Sequence, residues 1–212
     1  DEEFLMDTLR HAHHAEVFRT LVRDVERELT VEEVADDLSA LADALLDTVQ
    51  RWAWSLHAKR HREDCGLAVI AYGKLGGKEL GYGSDLDLVF LFDDDDERAP
   101  EVYGAFVRKL IGWLTLRTAA GELFDIDTAL RPNGNSGPPA VSLAMLEEYL
   151  QVQGREWERF AWLKSRVVAP RASVHSGRAK ALGTIVNAFV YRKYLDYGVF
   201  EGLRQLHRKV RD

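Results

Sequence analysis

Three aspartates stand where two strands of a sheet could bring them together. Asp85 and Asp87 alternate with leucine in SDLDLVFLFD, and Asp127 follows in ELFDIDTAL. Residues two apart on a strand point to one side, so the first two aspartates form a paired site while Leu86 and Leu88 enter the core. Carboxylates are natural ligands of magnesium, which nucleotidyl transfer needs to neutralise phosphate charge. The pattern predicts that Asp85, Asp87 and Asp127 are catalytic metal ligands.

Each aspartate also has a purely structural interpretation. Asp85 and Asp87 could be exposed residues at the start of a strand, and Asp127 could lie on the solvent side of a half-buried strand. Asp125, two residues earlier on the same face, competes with Asp127 for the third ligand position. The metal interpretation is favoured for the first pair because glycines and a serine precede it.

A glycine pair before the aspartates predicts a phosphate site. Gly76 and Gly77 follow an apolar segment and are expected to open a helix, with seven residues between Gly77 and Asp85. A backbone without side chains could approach a triphosphate and direct its N–H groups toward it. Ser84 adds a hydroxyl beside the carboxylates. The alternative is a simple tight turn, which glycine pairs often form.

Downstream, the segment GREWERFAWLKSR predicts a basic helix face that could meet phosphate or an acidic partner. Glu156 and Glu158 could neutralise that face instead. Trp157 is expected in the core. The members of the face recur at spacings of four, three and four: Arg155, Arg159, Trp162 and Arg166.

Two further clusters are interpreted as structural. The acidic run at 93–97 follows a buried strand and is expected to be a solvated turn. His11, His13 and His14 have no cysteine or carboxylate at metal-ligand spacing, so they are expected on an exposed helix face.

The elements that must position these residues follow from the hydrophobic periodicity. Thr30 and Glu33 form a capping box that begins an amphipathic helix, after an earlier helix at 3–28. Period-two and apolar runs predict strands, and a glycine-rich turn at 131–139 closes the α/β part. Strands are expected at 66–73, 85–93 and 122–130, with helices at 100–118, at 141–168 with a possible break near Gly154, and after a link at 169–183.

These elements predict an α+β protein with three regions. Residues 1–65 form an N-terminal helical region, 66–140 the catalytic core, and 141–212 a C-terminal helical region expected to continue beyond this fragment.

Composition narrows the class of protein. A chain of 212 residues with 46% hydrophobic residues can bury a core, and a net charge of −7 argues against a generic nucleic-acid binder. Cys65 is the only cysteine, so no intrachain disulfide can form and a cytoplasmic location is expected. No segment reads as a membrane span or signal peptide, so no membrane association is expected.

The helix-opening glycines, the D-x-D strand and the later acidic strand resemble the polymerase-β-like nucleotidyltransferase superfamily. More specifically, AYGKLGGKELGYGSDLDLVFLFD, DIDTALRPNGNSG and GREWERFAWLKSR resemble glutamine synthetase adenylyltransferase, over nearly the whole chain. This bifunctional family attaches AMP to a tyrosine of glutamine synthetase and removes it. The resemblance implies a small mixed sheet with flanking helices, bound Mg²⁺, and ATP, or phosphate and ADP in the removal direction. It assigns the triphosphate side to Gly76, Gly77 and Ser84, and places Arg131 of the LRP sequence near phosphate.

The resemblance also implies partners. These are glutamine synthetase, a PII-type signalling protein and a second nucleotidyltransferase half in the same polypeptide. GYGSDLDLVFLFD is more similar to the adenylylating half, whereas the segments at 136–166 and 189–212 are more similar to the removing half, so the direction of reaction stays open. Ala129 stands where many relatives carry arginine, which removes one phosphate contact.

Two other functions remain open at this stage. The metal site does not determine the acceptor, so a uridylyltransferase or a small-molecule adenylyltransferase would carry the same carboxylates. A regulatory or docking module that binds nucleotide without turnover is the non-enzymatic alternative, although the three retained carboxylates argue against it.

Overall fold

The computed structural model describes residues 1–170 and 177–191, which form seven α-helices and five β-strands. In chain order they are α1 (Glu2–Val25), α2 (Val31–Ser55), β1 (Leu67–Ala71), α3 (Gly73–Gly76), β2 (Leu86–Phe92), α4 (Ala99–Thr115), β3 (Ile126–Asp127), β4 (Val141–Ser142), α5 (Leu143–Val152), α6 (Glu156–Leu163), β5 (Arg166–Ala169) and α7 (Gly177–Val190). This mixture confirms the predicted α+β class. The part of the predicted last helix at 192–212 lies outside the described residues.

The strands form one mixed sheet around β1 and β2. These two pair antiparallel from Leu67↔Phe92 to Ala71↔Leu88, and β5 pairs antiparallel with β1. Both β3 and β4 run parallel to β2, β3 at its start and β4 at its end. Since β1 occupies one edge of β2, the two short strands share the other edge.

Helices cover both faces of the sheet. Leu86, Leu88 and Phe90 of β2 pack with α2 and α4, whereas Val89 and Leu91 pack with α5, α6 and α7. Asp87 is the only residue of β2 that is not buried. Because sides alternate along a strand, Asp87 lies on the same side as Val89, toward α5–α7.

The N-terminal helices are joined to the sheet layer by specific contacts. The predicted capping box of α2 is confirmed: Thr30 Oγ1 accepts from Glu33 N at 3.2 Å, and Glu33 Oε2 accepts from Thr30 N at 2.8 Å. Arg10 of α1 is fully buried, and its guanidinium donates to the carbonyl oxygens of Trp113, Leu116 and Gly121. The last carbonyl oxygens of a helix have no N–H partner within the helix, and the Arg10 guanidinium donates hydrogen bonds to those at the end of α4.

Two predictions about secondary structure are wrong in detail. The strand expected at 122–130 contains only Ile126–Asp127, and the helical stretch expected at 141–168 begins with β4 and ends in β5. RVVA at 166–169 is rich in β-branched residues, and pairing with the edge of β1 decides its conformation.

Within the described part of the chain, no helix combines the length and apolar character needed to cross a membrane.

Candidate active site

The three predicted carboxylates lie at the start of β2 and on its neighbour β3. Asp87 and Asp127 are register partners in the parallel pair, and Leu86 pairs with Ile126 beside them. Asp87 is half-buried, whereas Asp85 and Asp127 are exposed. Parallel partners point to the same side of a sheet, so Asp87 and Asp127 both face the layer formed by α5–α7.

The carboxylates influence one another electrostatically. The pKa of Asp87 is raised above its ordinary value, first by burial and then by the negative charges of Asp85 and Asp127. Lys74 of α3 opposes that rise. A bound cation would relieve the repulsion, which is the electrostatic property expected of a metal-binding carboxylate group.

The three carboxylates offer oxygen atoms of the kind that bind a hard divalent cation. Their side chains are not arranged around a common point. Among residues 1–170 and 177–191, no group of three or more His, Cys, Asp or Glu side chains is placed to hold a metal ion. Asp127 Oδ1 accepts from the Ala129 N–H at 2.7 Å, which holds the carboxylate of Asp127 against its own loop. Asp85, Asp87 and Asp127 would therefore have to turn toward each other to hold the ion.

The glycine pair lies elsewhere in its helix than predicted. Gly76 is the last residue of α3 and Gly77 follows it, so the pair ends a short helix and does not open one. A Cβ at Gly76 would lie 1.9 Å from the carbonyl oxygen of Lys164 and 2.9 Å from that of Ala71. Close packing between α3 and the residues after α6 therefore requires glycine at position 76.

Gly73 contributes to the site and was not predicted. It begins α3 with φ +53°, and a Cβ there would lie 2.2 Å from Asp87 Oδ2. Only glycine both adopts this conformation readily and leaves room for the carboxylate. The sequence signal was the glycine that ends the apolar run LAVIAYG, immediately before Lys74.

Ser84 and Arg131 both stabilise loops at this end of the sheet. Ser84 Oγ accepts from Gly81 N at 3.2 Å in the turn before β2. Arg131 donates four hydrogen bonds to its own loop, to the Thr128 hydroxyl and to the carbonyl oxygens of Thr128, Asn135 and Gly137. The guanidinium of Arg131 therefore shapes the loop after β3.

The predicted basic helix face does not exist as a single surface. Arg166 belongs to β5 and forms a bidentate ion pair with Asp43 of α2, at 2.7 and 3.0 Å. Trp162 is buried against Tyr72, and Arg159 lies over the Phe189 ring. Trp157, expected in the core, is 40% exposed. The helical spacing of the four predicted residues applies only as far as Leu163, where α6 ends. Arg166 begins β5, so it does not share a helix face with the other three.

One residue of the acidic run is buried, which contradicts the solvated-turn prediction. The Asp94 side chain is 0% exposed. It accepts from Tyr103 Oη at 2.8 Å and from Arg62 at 2.6 Å, and lies 2.8 Å from His61 Nε2. These bonds and a backbone N–H hold the pKa of Asp94 below its ordinary value despite burial. Asp94 thus anchors the connection between α2 and β1.

The histidine prediction is confirmed for two of its three members. His11 and His14 are exposed on α1. His13 is half-buried with its ring 4.9 Å from that of Phe124, and burial lowers its pKa to about 4.

Comparison with known proteins identifies the family. The family model described as Glutamate-ammonia ligase adenylyltransferase matches residues 1–181 of this chain. The chain belongs to the glutamate-ammonia ligase adenylyltransferase family. Glutamate-ammonia ligase is another name for glutamine synthetase, so the predicted resemblance is confirmed.

Relatives within this family are closely similar to the chain. It is 54% identical over 175 residues to the bifunctional glutamine synthetase adenylyltransferase/adenylyl-removing enzyme of Ralstonia nicotianae. The aligned region covers 82% of this chain and 18% of that protein. Proteins with the same description from Burkholderia mallei and Chromobacterium violaceum are 53% and 48% identical, over 84% and 83% of this chain and 19% and 20% of theirs. The chain therefore spans about a fifth of the length of these curated relatives.

Proposed function

We propose that this chain is a nucleotidyltransferase unit that moves an adenylyl group to or from a tyrosine of glutamine synthetase. The observation that supports it most strongly is the register pairing of Asp87 with Asp127 on one side of the sheet, two residues after Asp85. Membership in the glutamate-ammonia ligase adenylyltransferase family supplies the substrate class. A PII-type signalling protein, a second nucleotidyltransferase half and a cytoplasmic location are part of the proposal.

Asp85, Asp87 and Asp127 would hold Mg²⁺. The ion, when bound, would neutralise phosphate charge and stabilise the charge that develops on the departing oxygens. Gly73 keeps the space beside Asp87 Oδ2 open, so that carboxylate can turn without meeting a side chain. Gly76, Gly77 and Ser84 are proposed to lie on the triphosphate side as positions with little or no side chain, because the N–H groups of Gly76 and Gly77 already donate to the carbonyl oxygens of Tyr72 and Gly73.

Either direction of the reaction is chemically accessible to the same residues. In the forward direction, the tyrosine oxygen forms a bond to the α-phosphorus of ATP, the bond to pyrophosphate breaks, and the tyrosine hydroxyl loses its proton. In the removal direction, an orthophosphate oxygen bonds to the adenylyl phosphorus, the bond to the tyrosine oxygen breaks, that oxygen takes up a proton, and ADP forms. The carboxylates act on the phosphorus centre in both cases.

Asp85→Asn tests the proposal, with Asp125→Asn as the matched control. Asp125 is exposed and its backbone oxygen already accepts from Leu86 N, so changing its side chain leaves the strand pairing intact. We expect Asp85→Asn to lower labelled AMP exchange on glutamine synthetase by at least about a hundredfold, because the loss of a metal ligand removes electrostatic stabilisation of the transition state. Asp125→Asn should retain the activity of the unaltered chain.

The assay uses ATP with unmodified glutamine synthetase, and phosphate with adenylylated glutamine synthetase. Exchange by Asp85→Asn that equals the exchange by the unaltered chain would reject the carboxylate assignment, whereas an equal loss in both variants would place Asp125 among the ligands. Tighter magnesium-dependent binding of UTP than of ATP would instead favour a uridylyltransferase. Binding of ATP without turnover in either direction would favour a docking module.

A further inference from the structure

Arg166 lies behind the carboxylates, on the opposite side of the sheet. It begins β5 and pairs in register with Ala71 at the end of β1. Register partners point to the same side of a sheet, and Ala71 belongs to the core that α2 and α4 cover. Asp87 faces the other layer, so the sheet separates the Arg166 guanidinium from that carboxylate. Any effect of Arg166 on the reaction must therefore pass through another element.

The guanidinium of Arg166 joins two helices. Nη1 and Nη2 donate to the Asp43 carboxylate of α2 at 2.7 and 3.0 Å, and Nε donates to the carbonyl oxygen of Leu75 in α3 at 3.1 Å. The side chains of Arg166 and Asp43 are only 23% and 16% exposed. A bidentate pair fixes the plane of the guanidinium, because both carboxylate oxygens accept from it. Asp43 therefore holds Arg166 in the orientation in which Nε meets α3.

The helix α3 needs such support because it is a single turn. It contains only four residues, and one helical turn gains too few hydrogen bonds to form by itself. The Nε–H of Arg166 reaches a carbonyl near the C-terminal end of the turn, where a positive charge is favourable. A Cβ at Gly76 would lie 1.9 Å from the Lys164 carbonyl oxygen, so the backbone before Arg166 packs against the same helix end. Close packing and one hydrogen bond thus fix this end of α3.

The other end of α3 lies against a predicted metal ligand. A Cβ at Gly73, where the helix begins, would lie 2.2 Å from Asp87 Oδ2. The N–H of Tyr72, just before the helix, donates to the Asp87 carbonyl oxygen at 3.0 Å. Lys74 of α3 also acts on the Asp87 carboxylate through its positive charge. Four helical residues span only about 6 Å, so a displacement at the end that Arg166 holds is transmitted to the end beside Asp87.

We infer that Arg166, oriented by Asp43, is a positioning residue that fixes α3 and thereby keeps the Asp87 carboxylate free to turn toward a metal ion. The inference rests on the proposed function, because that function makes Asp87 a metal ligand. The competing interpretation is an ion pair that contributes to folding stability alone.

Arg166→Lys separates these two interpretations. A lysine keeps the positive charge beside Asp43, but one ammonium group does not reproduce both the bidentate pair and the hydrogen bond to Leu75. Asp94→Asn is the matched control for lost stability. It removes a buried charge that follows β2, and the β1–β2 register places it at the opposite end of the strand pair from Ala71. Urea unfolding establishes conditions in which both variants are fully folded.

Mn²⁺ binding to the unaltered 212-residue chain and to both variants is measured by electron paramagnetic resonance. We expect Arg166→Lys to weaken Mn²⁺ binding about tenfold, the scale on which groups behind metal ligands act. Asp94→Asn should bind Mn²⁺ as the unaltered chain does. Asp87→Asn should abolish the binding, which identifies the site that is measured.

Hydrogen exchange of the amides at Gly76 and Gly77 reports the state of α3 independently of any metal. These N–H groups donate to the carbonyl oxygens of Tyr72 and Gly73, so they are protected while the turn is formed. In Arg166→Lys they should exchange about tenfold faster, since a hydrogen bond from a charged group contributes on that scale. In Asp94→Asn their exchange should equal that of the unaltered chain.

Asp43→Asn is a second, independent variant. It leaves Arg166 in place but removes the charge that orients it, so Mn²⁺ binding should weaken in the same direction. The losses in Asp43→Asn and Arg166→Lys should not add in the double variant, because residues that act as one unit are not independent. Additive losses would refute the orienting role of Asp43.

Failure of this inference and failure of the proposed function have different signatures. Mn²⁺ affinity that is unchanged in Arg166→Lys, or weakened equally in Asp94→Asn, overturns the positioning role alone, whatever the exchange of the α3 amides. Absence of Mn²⁺ binding by the unaltered chain rejects the carboxylate assignment, and this inference with it.

Discussion

Gly76 provides the sharpest test of how the glycine pair functions. In Gly76→Ala, the new Cβ would lie 1.9 Å from the Lys164 carbonyl oxygen, whereas real Cβ contacts essentially never fall below 3.0 Å. The two backbone segments would therefore have to separate by ~1 Å. The Ala71 carbonyl oxygen, 2.9 Å from the same position, limits movement of the new methyl group in the other direction.

The expected cost follows from that geometry. Overpacking against backbone that cannot yield costs about 3 kcal/mol, at the upper end of the usual range. For a chain of this size, each kcal/mol lowers the melting temperature by roughly 2–4 °C, so Gly76→Ala should melt about 6–12 °C lower. Gly112→Ala is the matched control, because no atom lies within 4 Å of its added Cβ inside α4.

Thermal and urea unfolding, followed by far-ultraviolet circular dichroism, measure both variants. Gly112→Ala should gain up to about 1 kcal/mol, since alanine is the better helix residue. If Gly76→Ala were as stable as Gly112→Ala, the close packing at α3 would be refuted. The glycine would then be required by ligand binding alone.

Three further predictions concern charged residues. Asp87→Asn should stabilise the metal-free chain and remove its AMP exchange. The pKa of the Asp87 carboxyl is raised in the folded chain, so the unaltered chain should lose stability relative to this variant as the pH rises above about 4. Melting temperatures of both proteins between about pH 3 and 8 measure whether this difference in stability grows with pH. Asp94→Asn should cost about 2 kcal/mol at pH 7, less as the pH falls toward the lowered pKa of Asp94, because a buried acceptor of several bonds is lost; urea unfolding at two pH values measures it. Arg10→Met should destabilise the chain by about 3 kcal/mol and speed amide exchange in α1, because buried carbonyl groups lose their donor. Unchanged exchange in α1 would show that apolar packing alone holds that helix.

Local sequence patterns predicted the elements whose stabilising contacts are themselves local. The capping box of α2 joins residues three apart, and the periodicity that follows defines the buried face of the helix. The alternation of Asp85 and Asp87 with leucine likewise predicted that Asp87 lies on the opposite side of β2 from Leu86 and Leu88, because the side-chain period of a strand is intrinsic to its backbone. The later acidic strand offered Asp127, with Asp125 as its competitor, as the third ligand; the pairing of Asp127 with Asp87 joins residues 40 positions apart.

What only the tertiary structure decided depends on contacts between distant segments. RVVA forms β5 because the edge of β1 accepts it, and Arg166 consequently faces Asp43 instead of the helical arginines. Asp94 is buried because His61, Arg62 and Tyr103 surround it, which no charge pattern at 93–97 reveals. Gly76 is glycine because the backbone at Lys164 approaches it. The sequence alone determined helix starts, strand alternation and the family; the fold decided which neighbours each side chain meets, because burial and steric contact arise only when distant segments pack together.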